Sequence, residues 1–242
     1  MIKTILDRRA LAHWCLGVGL ADADLGYQVH SLFAAAFGEA MPRPFSIRMD
    51  EAAKHGGHLP VMGYSQATSD DLTRLIAETA EPDVAAAFAN GLYGKAMPAD
   101  WTAGQMFGFE IRMVPTRRSA QKIGVRDDGR PKRERTERDA FLSAVSHHGP
   151  GVAIERAAVY AEWLKERLAS AANLIDFDMK GFRLQNLTRR NGARSLHGAR
   201  LPDVLCGGRI QVGDPTAFSA ILAGGIGHHR GFGYGMLLLR PA

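Results

Sequence analysis

Tyr27 and His30 form a pair of side chains whose types and spacing suit proton transfer. They lie three residues apart in a segment with helical periodicity, so they share one face of a predicted helix. An unperturbed histidine has a pKa of about 6.5 and can take up or release a proton near neutral pH. The same pair could instead border the apolar stripe of the helix and pack on a neighbouring loop. The helical pattern alone leaves both interpretations open.

The chain ends in a glycine-rich loop, residues 223–235, that leads into an apolar segment. Glycine loses more conformational freedom on folding than other residues, so several together indicate a backbone that lies close to another group. His228, His229 and Arg230 at the tip of the loop indicate an anionic partner. The loop does not match the dinucleotide-binding fingerprint, because Arg230 replaces the third glycine and a strand, not a helix, is predicted to follow.

Positive charge is concentrated in two segments. Residues 112–138 hold ten basic and four acidic residues, a net of +6, so the rest of this +5 chain sums to −1. Residues 180–201 contain several basic residues and no acidic one. Either segment alone could be a solvated charged face. Together with the basic glycine-rich loop, they favour a phosphate backbone as the partner.

Capping signals and hydrophobic periodicity predict the elements that position these residues. Asp24 is a typical N-cap residue, and the apolar residues after it recur at helical spacing. Strands are predicted at 2–6, 45–49, 59–65 and 107–114, with helices after Asp24 and Ser69. In the second half, a long helix is predicted at 154–172, strands at 174–187, 204–212 and 232–239, and a short helix at 214–222. Residues 81–101 give an uncertain pattern, with a short helix at 84–88 as one reading.

Both halves read as strand, helix, strand, strand, helix, strand. This order predicts an α+β protein built from two tandem ferredoxin-like (βαββαβ) domains, at 1–100 and 101–242, the second ending in the glycine-rich loop. Residues 117–138 lie outside the repeated pattern. Asp128-Gly129 within them is a typical turn dipeptide, so this stretch is predicted to form a protruding hairpin.

Composition disfavours several other classes of protein. No apolar run reaches the roughly 18 residues that cross a bilayer, and the first residues do not form a signal peptide, so we expect a cytoplasmic protein without membrane association. Cys15 and Cys206 lack the spacing of a disulfide framework or a zinc site. The histidine pairs at 147–148 and 228–229 lack supporting carboxylate or thiolate spacing. We therefore expect neither a bound metal nor a cofactor.

Two motifs together resemble those of a known family. Tyr27-Gln-Val-His30-Ser-Leu-Phe33 follows the first strand, and Gly224-Gly-Ile-Gly-His-His-Arg-Gly-Phe-Gly-Tyr-Gly-Met-Leu-Leu lies near the end of the chain. In this order and spacing they resemble the CasE family, the CRISPR repeat-RNA endoribonucleases of type I-E systems within the repeat-associated mysterious protein superfamily. The resemblance spans nearly the whole chain, although 81–101 and 117–138 contribute no motif to it.

The resemblance implies a fold, an activity and partners. It implies tandem ferredoxin-like domains and metal-independent cleavage of precursor CRISPR RNA at the base of the repeat hairpin by 2′-hydroxyl attack. It also implies that the mature CRISPR RNA stays bound within a type I-E surveillance complex that contains other subunits. Two alternatives stay open: a non-catalytic RNA-binding subunit of the same superfamily, and a small-molecule enzyme with a ferredoxin-like fold, which the basic segments disfavour.

The resemblance also implies site residues. His30 matches the catalytic histidine of the family and Tyr27 its active-site tyrosine. We expect a cation to stabilise the charge that develops on the phosphate, and Lys180, with Arg183 near it, is the candidate. The expected RNA-binding residues are Arg117, Arg118, Lys122, Arg126, Arg130, Lys132, Arg133, Arg183, Gly225, Gly227, His228, His229 and Arg230.

Overall fold

The computed structural model describes residues 1–125, 131–148, 153–191 and 195–242, and the side chains of these residues outside 119–136 and 189–199. Its first half contains, in order, β1 (Ile2–Leu6), α1 (Arg8–Gly17), α2 (Leu25–Phe37), β2 (Phe45–Ile47), β3 (Leu59–Gly63), α3 (Ser69–Thr79), α4 (Pro82–Ala86) and β4 (Leu92–Gly94). The strands form one antiparallel sheet in the order β2-β3-β1-β4. Chain order and sheet order together are those of a ferredoxin-like fold.

The second half repeats this arrangement. It contains β5 (Met106–Met113), β6 (Thr116–Val125), β7 (Pro131–Asp139), α5 (Ala140–His148), α6 (Arg156–Leu168), β8 (Ala172–Asn191), β9 (Ser195–Val212), α7 (Pro215–Gly224) and β10 (Leu238–Pro241). The main sheet has the order β10-β5-β9-β8, and all its neighbouring strands are antiparallel. The predicted α+β fold with tandem ferredoxin-like units is therefore confirmed.

β6 and β7 pair only with each other and form a two-stranded ribbon outside the main sheets. The ribbon is the hairpin that the sequence predicts between β5 and the helices of the second half. The predicted turn at Asp128-Gly129 lies outside the described residues.

Several element boundaries differ from the predictions. The strand predicted at 107–114 begins the second sheet, and the first sheet closes with β4, inside the segment that sequence patterns left uncertain. The long helix predicted at 154–172 is the shorter α6, with α5 before it, and α1 was not predicted at all. The strand predicted at 232–239 starts only at Leu238, because the glycine-rich loop continues to that point.

α2 is the element that brings the first half toward the candidate site. Asp24 caps it by accepting a hydrogen bond from the backbone N–H of Tyr27 at 3.2 Å. Val29, Leu32 and Phe33 bury its apolar stripe in the first core, where the Phe33 ring lies 5.4 Å from that of Phe45. Burying a side chain of this size contributes about 1.5–3 kcal/mol, so the stripe fixes the rotation of the helix.

The two halves are joined by polar contacts as well as by the chain. The hydroxyl of Tyr64 donates a buried hydrogen bond to the carbonyl oxygen of Leu237 at 2.8 Å. Arg48 forms an ion pair with Glu110 of β5. Among the described residues, no helix combines the length and the apolar character needed to cross a membrane.

Candidate active site

Tyr27 and His30 meet the glycine-rich loop at Phe232. The ring of Phe232 stacks on Tyr27, with centroids 5.8 Å apart and planes 5° from parallel. It also lies 4.5 Å from the ring of His30. The centroids of Tyr27 and His30 are 6.3 Å apart. The structure thus brings together the two motifs that carry the resemblance, although they lie at opposite ends of the chain.

Gly26 explains how the loop comes so close to α2. A Cβ atom at this position would lie 2.2 Å from the carbonyl oxygen of Phe232, well inside van der Waals contact. Only glycine leaves room for that carbonyl. The residue before Tyr27 therefore sets the distance between the loop and the helix, a role that the motif alone does not reveal.

The glycines of the loop lie against protein. A Cβ at Gly225 would be 2.9 Å from the ring of Pro44, and one at Gly227 would be 3.2 Å from Trp163. Gly235 has φ +75°, and a Cβ there would lie 2.1 Å from the carbonyl oxygen of Ile226. The sequence correctly indicates a backbone pressed close to another group. That group is the protein itself: Pro44 from the first half, Trp163 of α6 and the loop backbone. Gly225 and Gly227 therefore act first in folding the loop.

A cavity of about 780 Å³ lies beside His30, between the two halves. The glycine-rich loop forms one wall, and the segment from α2 to β3 forms another. Three basic side chains join His30 in the lining: Arg43, His228 and Arg230. The rest of the lining is Glu39, Ala40, Met41, Tyr64, Ser65, Gln66, Ala67, Ala223, Gly224, Gly231 and Phe232. The cavity combines a proton carrier with positive charge.

His228 and His229 point in different directions. His228 is exposed and lines the cavity, and its pKa is lowered by partial burial and by the positive charge of Arg118. His229 is only 7% exposed, and its Nε2 lies 3.2 Å from Oε1 of Glu137. The RNA-binding role predicted for the His229 side chain does not fit this inward position. Its contact with β7 anchors the loop instead.

Glu137 ties the loop to the base of the ribbon. Burial would raise its pKa, but hydrogen bonds from His229 and Thr116, together with the nearby charge of Arg118, outweigh burial and hold the pKa at about 2. The carboxylate therefore stays ionised across the physiological range. It keeps the imidazole of His229 turned away from the cavity.

Lys180, the predicted catalytic cation, is engaged elsewhere. Its Nζ lies 3.0 Å from Oε2 of Glu110, which also binds Arg48. Lys180 is not among the described residues that line the cavity of His30. The prediction chose Lys180 for its position in the chain, just after the long helix of the second half. A register shift in β8 between Met179 and Gly181 sets Lys180 beside Gly207 and Glu110 on the second sheet.

Arg183 is likewise paired. Its Nε lies 2.7 Å from Oδ2 of Asp203, a carboxylate that is only 4% exposed and also binds Arg112. Burial would raise the pKa of Asp203, and the hydrogen bonds from the two arginines lower it further than burial raises it. More than half of the Arg183 side chain remains exposed, so a nucleic acid can still reach its outer edge.

The basic ribbon places its predicted RNA-binding residues on two paired strands. Arg117 and Arg118 are exposed on β6, and Arg117 forms an ion pair with Glu166 at 2.6 Å. The backbone register sets Lys122 directly opposite Arg133, and Lys132 lies on the same strand as Arg133. Arg126 and Arg130 lie outside the described residues.

Sequence reasoning missed three residues of the site. Arg43, which lines the cavity, follows the helix in a segment with no motif. Phe232 lies inside the loop motif, but nothing local shows that its ring stacks on Tyr27. Thr188 exchanges hydrogen bonds with Asp24, the cap of α2. Of these two residues, only Asp24 could be identified from the sequence, as a helix cap.

Comparison of the sequence with known proteins identifies a family. A family model described as CRISPR associated protein matches residues 1–241. No curated protein sequence matches the chain.

Solved structures share the fold. One is the CRISPR endoribonuclease Cse3 bound to a 19-nucleotide RNA, with a TM-score of 0.61, 18% identity and 99% coverage of both chains. Another is the CRISPR-associated protein Cas6e from Escherichia coli str. K-12, with a TM-score of 0.58, 17% identity and complete coverage of both chains. A chain of a CRISPR RNA-guided surveillance complex in a pre-nicking state has a TM-score of 0.53 at 15% identity over both whole chains. At these identities the likeness establishes the fold.

Proposed function

This chain belongs to the CRISPR associated protein family, and on that premise we propose that it is a metal-independent endoribonuclease that cleaves precursor CRISPR RNA at the base of the repeat hairpin. The observation that carries the proposal is the contact of His30 with Phe232 at the wall of a cavity that Arg43 and Arg230 also line. Such a cavity combines a group that moves protons with groups that attract a phosphate. The CasE-like motifs and the RNA-bound Cse3 structure with the same fold support this conclusion.

The chemistry uses a nucleophile that RNA itself supplies. The 2′-oxygen attacks the adjacent phosphorus while the bond from phosphorus to the 5′-oxygen breaks. The products are a 2′,3′-cyclic phosphate, or its opened form, and a 5′-hydroxyl. His30 takes the proton from the 2′-hydroxyl or gives one to the departing oxygen, and the Tyr27 hydroxyl donates a hydrogen bond to the phosphate. Positive charge in the cavity stabilises the additional negative charge on the non-bridging phosphate oxygens.

Recognition of the repeat hairpin falls to the basic ribbon. The major groove of A-form RNA is too deep and narrow for most side chains to read, so shape and charge supply much of the affinity. The backbone register pairs Lys122 of β6 with Arg133 of β7. Arg117 and Arg118 on β6 and Lys132 on β7 add positive charge to the same two strands. We propose that the ribbon grips the stem while the cavity holds the scissile phosphate.

The proposed partners follow from the same family. One solved structure with this fold is Cse3 bound to RNA, and another is a chain of a surveillance complex. We propose that this chain retains its cleaved RNA and joins other subunits of a type I-E surveillance complex.

The decisive test is incubation of the purified protein with its cognate repeat transcript, with and without EDTA. The proposal expects one cut at the stem base in both conditions and no cut when the nucleotide upstream of the cut is a 2′-deoxynucleotide. His30→Ala should bind the hairpin but not cleave it, whereas His13→Ala, an exposed histidine on α1, should cleave normally. Loss of cleavage in EDTA would overturn metal independence. Hairpin binding without cleavage by the parent protein would instead identify a non-catalytic RNA-binding subunit.

A further inference from the structure

Attack of a 2′-hydroxyl places extra negative charge on the phosphate oxygens, and a nuclease of this type needs a cation that faces them. Lys180, the cation expected from chain position, is paired with Glu110 outside the cavity of His30. We propose that Arg43 is the catalytic cation: its guanidinium faces the scissile phosphate beside His30 and stabilises the transition state. This inference rests on the proposed endoribonuclease function and deepens it.

Arg43 and His30 lie on either side of the same loop residue. A Cβ at Gly231 would be 3.5 Å from Nδ1 of His30 and 3.7 Å from Cδ of Arg43. Both side chains therefore approach one point of the loop from the same cavity. Both residues also line the same cavity, so they are neighbours across Gly231.

The backbone around Arg43 is held firmly. Its N–H donates to the carbonyl oxygen of Tyr64 at 2.8 Å, and the N–H of Tyr64 donates to the carbonyl oxygen of Pro44 at 3.0 Å. Pro42 and Pro44 on either side are buried, whereas Arg43 is exposed. The side chain thus leaves a fixed backbone and lines the cavity.

Arg43 also differs from Arg183 and Arg117 in its charge balance. Arg183 and Arg117 each form an ion pair, with Asp203 and Glu166 respectively. Among the described residues, no carboxylate forms an ion pair with Arg43. Glu39 lines the same cavity, yet the two side chains are not paired. The positive charge of Arg43 is therefore available to a ligand.

The remaining cavity residues fit other roles. Arg230 donates from Nη1 to the carbonyl oxygen of Gly224 at 2.8 Å and so helps to close the loop on itself. The lowered pKa of His228 leaves that imidazole mostly neutral at pH 7. Arginine keeps its charge at every relevant pH and can donate two parallel hydrogen bonds to a phosphate. Arg43 supplies both properties next to His30.

The test compares single-turnover cleavage by the parent, Arg43→Ala, Arg43→Lys and the control Arg74→Ala, an exposed arginine of α3. Saturating protein separates cleavage from binding, and binding is measured with a transcript that carries a 2′-deoxynucleotide upstream of the cut. Arg43→Ala should cleave about 100- to 1,000-fold more slowly. Its affinity for the uncleavable transcript should fall only a few-fold, and the pH dependence of its rate should keep the parent's shape, because arginine does not titrate. Arg43→Lys should recover part of the rate, and Arg74→Ala should match the parent.

A sulfur substitution at the scissile phosphate identifies direct contact. Replacing a non-bridging oxygen with sulfur should slow the parent more than it slows Arg43→Ala, because the variant has already lost the contact. A merely structural role for Arg43 would leave the two sulfur effects equal and would overturn the inference. Cleavage by Arg43→Ala within threefold of the parent would also overturn it. Failure of the parent itself to cleave would reject the proposed function, which is a separate outcome.

Discussion

Asp24 and Thr188 exchange two hydrogen bonds between the halves of the molecule. The N–H of Thr188 donates to Oδ2 of Asp24 at 2.6 Å, and the N–H of Asp24 donates to the hydroxyl of Thr188 at 3.0 Å. The other carboxylate oxygen of Asp24 caps α2 at Tyr27. One side chain therefore links the helix that carries Tyr27 and His30 to β8, the strand that continues into the second basic segment.

Asp24→Ala should weaken both the protein and the reaction. Loss of the cap and of the link to Thr188 should lower the free energy of unfolding by about 1–2 kcal/mol. Cleavage should slow by roughly tenfold because the N-terminus of α2 loses its support. Chemical denaturation and single-turnover cleavage measure the two effects. Asp22→Ala, an exposed neighbour, should change neither, and an equal effect of both variants would argue against the link.

Gly26→Ala should disturb the contact between α2 and the loop. The added methyl group would meet the carbonyl oxygen of Phe232 at 2.2 Å, so the loop must move away. We expect at least a tenfold loss of cleavage, measured under single turnover. Gly17→Ala at the end of α1 is the matched control, because a Cβ there meets nothing within 4 Å. That control should change stability by no more than about 1 kcal/mol. Normal cleavage by Gly26→Ala would show that the loop position is not needed.

Glu137→Gln should make stability less dependent on pH. The folded-state pKa of about 2 lies below the ordinary value of 4.5, so ionised Glu137 stabilises the fold above pH 4.5. This stabilisation is lost as the pH falls from 4.5 toward 2. The variant should be about 2–3 kcal/mol less stable than the parent near pH 6, and the difference should vanish near pH 2. Denaturation across this range measures it, with the exposed Glu78→Gln as the control. A difference that grows toward low pH would contradict the prediction.

Neutralising the basic ribbon should change the salt dependence of RNA binding. The triple variant has glutamine at Lys122, Lys132 and Arg133. Its plot of log affinity against log salt concentration should be less steep, with the magnitude of the slope reduced by roughly one to three. A control with the same charge loss places glutamine at Arg8, Arg9 and Lys54, exposed residues far from the ribbon in sequence. Binding titrations at several salt concentrations compare them. An unchanged slope for the ribbon variant would reject a role in gripping the stem.

Much of the fold could be predicted from local signals. Asp24 and Asp214 cap helices where the sequence indicates, and both are observed as caps. The predicted strands at 2–6 and 59–65 correspond to β1 and β3. The closing strand of the first sheet was missed because β4 is only three residues long and too short to show a periodic pattern. The division of the chain at residue 100 stays a prediction.

The candidate site likewise contains residues that could be predicted from the sequence and residues that could not. Tyr27, His30 and the glycine-rich loop could be selected from the sequence, because residue type, helical spacing and glycine density are local properties. The role of Lys180 could not be predicted from the sequence, because its charge is balanced by Glu110, a residue on another strand. The orientation of the His229 side chain could not be predicted either, because it depends on the contact with Glu137.

From local signals we predicted tandem ferredoxin-like domains, the α2 pair Tyr27 and His30, and the concentration of positive charge. Each of these follows from short-range spacing and composition. The folded chain was needed to show that Gly225 lies against Pro44, that Gly227 lies against Trp163, and that Arg43 lines the cavity of His30. These are contacts between residues far apart in the chain, so close packing and charge pairing decide them, and neither leaves a local signal in the sequence.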